Sequence, residues 1–154
     1  MPKSNAGVVS KLNDLIELDH DAIEAYQAAI KRLESTEYRD QLEKFCGDHR
    51  RHTQNLPPLV TRLGGTPAKG PDMQRFLTKG AVVISGIAGG DHAVLLAMRA
   101  NEEITTKRYE LALKADGMDE DVRKTVRANY EDEIRHRDWL VQTLHEMKEE
   151  SSTS

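Results

Sequence analysis

Residues 129–140 read Asn-Tyr-Glu-Asp-Glu-Ile-Arg-His-Arg-Asp-Trp-Leu. Within them, Asn129, Glu133, His136 and Leu140 continue a stripe that starts at Val122 and Val126 and runs on to Thr143 and Met147. Recurrence at three and four residues is the signature of one face of a helix turned toward a core. Glu133 and His136 occupy that face where aliphatic residues belong. A Glu-x-x-His pair puts both side chains on one side of a helix, less than a turn apart. Asp119, Glu120 and Asp121 lie at the start of this helix, where its dipole favours negative charge.

Three further stripes precede it. The first is Leu12, Leu15, Asp19, Ala22, Tyr26, Ala29 and Leu33, widened by Ile16, Ile23 and Ile30. Ser10 is its expected N-cap, and Ser35-Thr36 interrupts it. The second is Tyr38, Leu42, Phe45, His49, His52, Leu56, Leu59 and Leu63, ended by Gly64-Gly65. Pro57-Pro58 removes two N–H donors and is expected to kink it. The third is Leu95, Met98, Glu102, Thr105, Tyr109 and Ala112, with Asp91 as expected N-cap and Gly117 as expected C-cap.

Each stripe carries the same anomaly at mid-length: Asp19, then His49 and His52, then Glu102, then Glu133 and His136. Burying an ionised carboxylate without a partner is costly, and six such groups at one depth ask for a common cause. A cation is the simplest, since carboxylate and imidazole are its natural ligands. The halves also repeat. Asp19 precedes His49 by thirty residues and Glu102 precedes Glu133 by thirty-one. A tyrosine follows each first carboxylate by seven, at Tyr26 and Tyr109, and an x-x-His closes each half. Such a repeat sets the groups around a pseudo-twofold axis at the centre of a bundle.

Short links between the first and second helices, and between the third and fourth, make two antiparallel hairpins. The stretch Gly64 to Asp91 is long, Gly/Pro-rich at both ends, and contains a short apolar piece, Phe76 to Ile87. A connection of that length needs a reason, and a crossover along a bundle supplies one. The expected fold is all-α: a four-helix bundle of two hairpins joined by a long crossover containing a short helix. One domain is expected over residues 8–149, with 1–7 and 150–154 as flexible termini.

Composition agrees. The chain has 154 residues, 38 % apolar and 31 % charged, with a net charge of −4. That is one domain's length, and it lacks the basic excess of a nucleic-acid or membrane-surface module. One cysteine excludes a disulfide framework, and Cys46 reads as a small core residue. The apolar run Ala81 to Gly90 is far short of the ~20 residues that span a bilayer. The N-terminus has no apolar signal region, so a cytoplasmic location is expected. His20, His92 and His145 fit no stripe and are expected at the surface. Val82-Val83-Ile84 reads either as packed crossover or as the docking surface of a homodimer.

The arrangement resembles the ferritin-like di-iron carboxylate superfamily, whose pattern is a Glu from each of two helices and a Glu-x-x-His from each of the other two. More narrowly, Leu12-Asn-Asp-Leu-Ile16, Tyr26-x-x-Ala-Ile, Leu63-Gly-Gly, Gly90-Asp-His-Ala-Val-Leu95 and Asn101-Glu102-Glu103 leading to Tyr109-x-x-Ala-Leu113 resemble a ferritin-like family known only as a domain of unknown function. The superfamily likeness implies a dinuclear site that handles oxygen, peroxide or iron. Two positions depart from it: Asp19 stands where the superfamily has Glu, and His49 where a bridging Glu is expected.

The expected metal ligands are therefore Asp19, His49, His52, Glu102, Glu133 and His136, holding a divalent metal, Fe first, with Zn or Mn as alternatives. Three carboxylates against two divalent ions leave one positive charge. Hydroxide, oxide or Asp48 would offset it. In the alternative, one ion is held mainly by Glu102, Glu133 and His136. Glu103 rivals Glu102 but falls off the stripe. Tyr26 and Tyr109 are expected to tether ligand carboxylates. Three functions stay open: an oxidase or peroxidase-like enzyme, a metal handler or stress-response protein without turnover, and a metal-free bundle acting through oligomerisation with a buried polar network.

Overall fold

The computed structural model describes residues 3–71 and 80–153. They form six helices: α1 (Lys3–Arg32), α2 (Thr36–Asn55), α3 (Pro57–Arg62), α4 (Gly80–Ser85), α5 (Asp91–Leu113) and α6 (Glu120–Thr153). Among the described residues there is no strand, and no helix is long and apolar enough to cross a membrane. The four long helices pack in a ring, α1 on α2 and α5, and α6 on α5 and α2.

Tyr26 meets Glu102 while Tyr109 meets Asp19, so α5 runs antiparallel to α1 and parallel to α2. A parallel successor cannot be reached by a tight turn. The chain must travel the length of the bundle between them, which is why the Gly64–Asp91 connection is long. Of the apolar piece expected over Phe76 to Ile87, residues 76–79 lie outside the described residues, and 80–85 form α4 against α1. Ile84 is buried and Val83 is exposed, while the side chain of Val82 lies outside the described residues. At Ile84 the packed-crossover reading holds.

The stripes bury as their spacing requires. Each named position of the third is buried, and those of the fourth are buried as far as Thr143, with Met147 half-buried. Pro57-Pro58 does more than kink the second helix. It ends α2 at Asn55 and starts α3, with Leu56 between them still donating its N–H to the His52 carbonyl. The break turns the chain so that Val60 is buried while Leu59 and Leu63 are half-buried.

Three capping expectations are corrected. α1 begins at Lys3, so Ser10 lies inside it rather than before it. Gly90, not Asp91, is the N-cap of α5. The Asp91 carboxylate instead accepts the N–H groups of Glu34 and Ser35 at 2.8 and 3.0 Å, bracing the α1–α2 turn. Lys114 is the C-cap of α5, and Gly117 sits in the following turn at φ +94°. α6 continues to Thr153, so helix extends into both segments expected as flexible ends. His20 is half-buried rather than exposed.

Each connection is tied down by a side chain from a helix. Asn13 on α1 donates to the Thr66 carbonyl and accepts from the Ala68 N–H, holding the start of the crossover. Arg32, in the last turn of α1, donates to the carbonyls of Ile84 and Ile87 and so caps the C-terminal end of α4. Arg123 holds the α5–α6 turn through the carbonyls of Leu113 and Ala115. Gly64 takes φ +87° to end α3. Gly65 is needed for space, since a Cβ there would lie 2.5 Å from Val9 Cγ1 and 3.1 Å from Val60 Cγ1. Gly65→Ala is expected to cost about 1–3 kcal/mol by overpacking. Gly70→Ala, with nothing within 4 Å of the new atom, should cost no more than about 0.5 kcal/mol. Urea unfolding midpoints of the two variants check this.

Candidate metal centre

The apolar core is divided in two. One cluster, around Tyr26, Phe45, Leu95, Met98 and Leu140, packs toward the α1–α2 turn. The other, around Leu12, Ile16, Leu56, Tyr109 and Val126, packs toward the α5–α6 turn. Between them lies a layer made by Asp19 of α1, His49 and His52 of α2, Glu102 of α5, and Glu133 and His136 of α6. All six are 0 % exposed. The structure thus brings together all six expected ligands.

They form two groups of four in which one ligand atom per residue lies within 4.8 Å of the others. Asp19, His49, His52 and Glu133 make one; His49, Glu102, Glu133 and His136 make the other. His49 and Glu133 belong to both, in the middle of the layer. The His49 ring spans the two, with Nδ1 2.7 Å from Asp19 Oδ1 and Nε2 3.2 Å from Glu102 Oε1. His52 Nδ1 lies 3.0 Å from the same Asp19 oxygen.

Four buried atoms at the centre have no hydrogen-bond partner: Glu102 Oε2, both carboxylate oxygens of Glu133, and His136 Nδ1. The closest carboxylate oxygen to His136 Nδ1 is 3.5 Å away. A buried polar group left unmade is expensive, so these atoms mark where a further partner fits.

The remaining atoms of the layer are held from outside. Tyr26 donates to Glu102 Oε1 and Tyr109 to Asp19 Oδ2, both at 2.5 Å, so each tethers a candidate ligand carboxylate. Each tyrosine reaches the carboxylate of the other half. Burial and the adjacent carboxylate raise both phenol pKa values well above the ordinary range, which keeps the hydroxyls protonated as donors. Asn129 shares an amide pair with Asn55 and approaches the Tyr109 hydroxyl.

The far nitrogens of two imidazoles are held by a cluster the sequence reading had not assembled. His52 Nε2 lies 2.8 Å from Asp132, and His136 Nε2 lies 2.8 Å from Asp48. Arg135 bonds both aspartates, at 2.7 Å to Asp132 and 2.9 Å to Asp48. Arg51 does the same, at 3.1 Å to Asp48 and in close contact with Asp132. Asp48 therefore lies on the outer side of His136 and is in neither group of four. Glu103 is exposed and away from the layer. The signal for this cluster is the repeat Asp48-x-x-Arg51-His52 and Asp132-x-x-Arg135-His136.

Electrostatics follow from these contacts. Burial opposes the charged form of every imidazole, and the surrounding carboxylates overcome it. The bonds from Asp132 and Asp19, with Glu133 nearby, push His52 up to about 10. Asp48, Glu102 and Glu133 do the same for His136, also up to about 10. His49 is raised well above its usual range. Burial likewise works against ionised Asp19 and Glu102, yet the imidazoles hold both below the ordinary carboxylate range. Glu133 is pushed up, by burial first and then by the charge of Glu102 against the pull of His49. It is the carboxylate of the three with neither oxygen hydrogen-bonded.

Residues 7–115, more than two-thirds of the chain, match the family described as Domain of unknown function (DUF2383). The chain belongs to this family. The match ends before α6, so membership by itself does not speak to Glu133 or His136. No curated protein matches the chain. Among solved structures, the chain is similar to a ferritin-like, diiron-carboxylate protein from Bacillus anthracis str. Ames, at 21 % identity and TM-score 0.76, over 94 % of this chain and 99 % of that one. It is also similar to a dodecameric thioferritin, the bacterioferritin-related protein of Bacteroides fragilis, at 16 % identity and TM-score 0.81, over 96 % and 89 %. Dps from Thermosynechococcus elongatus matches at 16 % identity and TM-score 0.70, over 93 % and 95 %. This DUF2383 member therefore has the ferritin-like bundle fold.

In the metal-free protein, Tyr109→Phe removes the donor to buried Asp19 Oδ2. The unfolding free energy should fall by about 1–3 kcal/mol, the cost of leaving such an acceptor unmade. Chemical denaturation in the presence of a chelator measures it.

Proposed function

We propose that this protein binds one or two divalent metal ions, iron foremost, through Asp19, His49, His52, Glu102, Glu133 and His136. The observation that carries the reading is that the four buried atoms of the layer without a hydrogen bond, Glu102 Oε2, Glu133 Oε1 and Oε2 and His136 Nδ1, all belong to one closely spaced group, His49, Glu102, Glu133 and His136. The donor set is three imidazoles and three carboxylates, which suits iron, manganese and zinc. Glu133, common to both groups of four and with both oxygens free of hydrogen bonds, is the natural shared ligand.

The chain's own residues have distinct parts in this proposal. The six ligands supply the donors. Asp48 and Asp132 fix the ring orientation of His136 and His52 through the far nitrogen, as carboxylates behind metal-bound imidazoles do. Tyr26 and Tyr109 fix Glu102 and Asp19. Bound iron would supply one-electron chemistry toward oxygen or peroxide, and the apolar clusters on either side keep bulk water from it. The ferritin-like, diiron-carboxylate description of the B. anthracis structure supports iron over the other ions.

A second reading has one observation in its favour. Three imidazoles face three carboxylates, so protonated rings balance the layer without an ion. In that case the bundle is a metal-free scaffold. The two readings part on elemental analysis after anaerobic reconstitution with Fe(II), Mn(II) or Zn(II). We expect one to two equivalents in the wild type and loss of that metal in Glu133→Ala combined with His136→Ala. A wild type that retains none rejects metal binding. Asp48→Ala, which leaves every ligand in place, should weaken metal affinity about 10–100-fold by competition titration. Oxygen consumption on admitting air to the ferrous form then separates an oxidase from a binder without turnover.

A further inference from the structure

The six candidate ligands are buried on every side, yet an ion that binds them must first reach them. A divalent cation stripped of water and given no ligands cannot pass through hydrocarbon, so its way in must be polar. The two apolar clusters close both ends of the layer. The α2–α6 seam is different. Of the four neighbouring pairs of long helices, α2 and α6 approach each other least closely. Three hydrogen-bond paths lead from the layer to half-buried side chains, and all three leave through this seam. His52 leads to Asp132, His136 leads to Asp48, and Asp19 leads through Tyr109 and Asn129 to Asn55.

Asp48 and Asp132 lie at the mouth of the seam, with side chains 14 % and 18 % exposed. The rings of His52 and His136 stand between them and the layer. Each turns Nε2 toward an aspartate and Nδ1 toward the carboxylates within. An incoming cation thus finds oxygen and then nitrogen donors along the way, to which it can lose its water stepwise.

Arg51 and Arg135 close this mouth. Each bridges one aspartate of its own helix and one of the facing helix. The four charges cancel, so an arriving cation meets two guanidinium groups and no free carboxylate. The bonds across the seam are Arg51–Asp132 and Arg135–Asp48; those along the helices are Arg51–Asp48 and Arg135–Asp132. The cross-helix pairs can therefore break while each guanidinium keeps a carboxylate. Both arginines are half-exposed, and ion pairs in that setting are weak. Support of the imidazoles does not require this arrangement, because the bonds from the aspartates to His52 and His136 are complete without the arginines.

We propose that divalent cations enter the layer through the α2–α6 seam, and that Arg51 and Arg135 latch this entrance by tying Asp48 and Asp132 across it. The proposal rests on the metal-binding reading above and concerns the rate of entry.

Trp139, the chain's single tryptophan, reports arrival of the ion. Its ring packs on Phe45, which packs on His136, with centroids 5.7 and 4.3 Å apart. Co(II) quenches a nearby indole, so stopped-flow fluorescence of the metal-free full chain mixed with Co(II) gives the entry rate. Arg51→Gln combined with Arg135→Gln leaves the mouth lined by two carboxylates. Entry should speed about tenfold or more, and the gain should shrink as salt is added. Each single variant, keeping one bridging guanidinium, should show part of the gain. Lys107→Gln combined with Lys114→Gln removes the same charge from exposed positions on α5 and should leave entry within about twofold of the wild type. A role confined to supporting the imidazoles would quicken release into a chelator and leave entry unchanged. Unchanged far-ultraviolet circular dichroism verifies that each variant is folded. Entry at the wild-type rate in the double arginine variant overturns the proposal, as does an equal gain in the double lysine variant. Elemental analysis at equilibrium keeps the two readings apart. A wild type that takes up no Co(II) overturns metal binding and the entrance with it. Co(II) bound, with entry indifferent to the arginines, overturns the entrance alone.

Discussion

Three carboxylates and three imidazoles share one layer between two apolar clusters, and water reaches none of the six. An isolated charge in such a place would cost several kcal/mol even after relaxation, so the layer exists only because each group answers another. That requirement shapes the bundle. The helices must be long enough to carry apolar packing both above and below the layer. They must also neighbour one another in a closed ring, so that groups from all four meet at one depth. An open or shorter arrangement would leave a ligand facing solvent or a carboxylate facing hydrocarbon.

The answering is reciprocal. α1 sends Tyr26 to Glu102 of α5, and α5 sends Tyr109 to Asp19 of α1. α2 sends Asp48 to His136 of α6, and α6 sends Asp132 to His52 of α2. Each side chain that supports a candidate ligand belongs to the facing helix, so support and helix packing are one set of contacts. The α2–α6 seam is the clearest case: there the ion pairs of Arg51 and Arg135 and the Asn55–Asn129 amide pair replace much of the apolar contact found elsewhere. The symmetry fails at one place. His49 and Glu133 are equivalent in the repeat but not in chemistry, and the imidazole finds carboxylates on both sides while Glu133 finds no hydrogen bond at all. The oxygens without a hydrogen bond thus include both of Glu133, at the position where the two halves differ.

Much of this was legible from residue spacing, because burial in a helix repeats every three to four positions and a polar residue on that repeat is conspicuous. Asp19, His49, His52, Glu102, Glu133 and His136 were found that way, and so were the tyrosines. Asp132, Arg51 and Arg135 were not, because they sit half-exposed beside the stripe, where charged residues are ordinary. Their signal is the repeated Asp-x-x-Arg-His, which gains meaning only once α2 and α6 are known to be antiparallel neighbours. The caps failed for a related reason. Ser10 and Asp91 are good cap residues by local chemistry, but packing of Val8 and Val9 carries α1 past Ser10, and Asp91 is engaged by the α1–α2 turn. The double proline was readable as a disturbance but not as a complete end, since the difference depends on how Leu56 and Val60 pack afterwards.

α5 shows why one periodicity can conceal two surfaces. Its inward side includes Glu102, Thr105 and Thr106 among the apolar residues, and its outward side includes Leu96, Ile104 and Leu111 among the charged ones. Polarity is thus partly inverted around the helix, and a contrast between apolar and polar faces is weak although the helix is fully packed. A helix whose only task was to cover a core would gain by exchanging these residues, placing aliphatic side chains within and hydroxyls without. On the inner side the reverse arrangement has its reason, because those polar groups answer to the layer they share with α1, α2 and α6. Because the two sets lie on opposite faces of one rigid helix, a change on the outer row leaves the distances within the layer as they are.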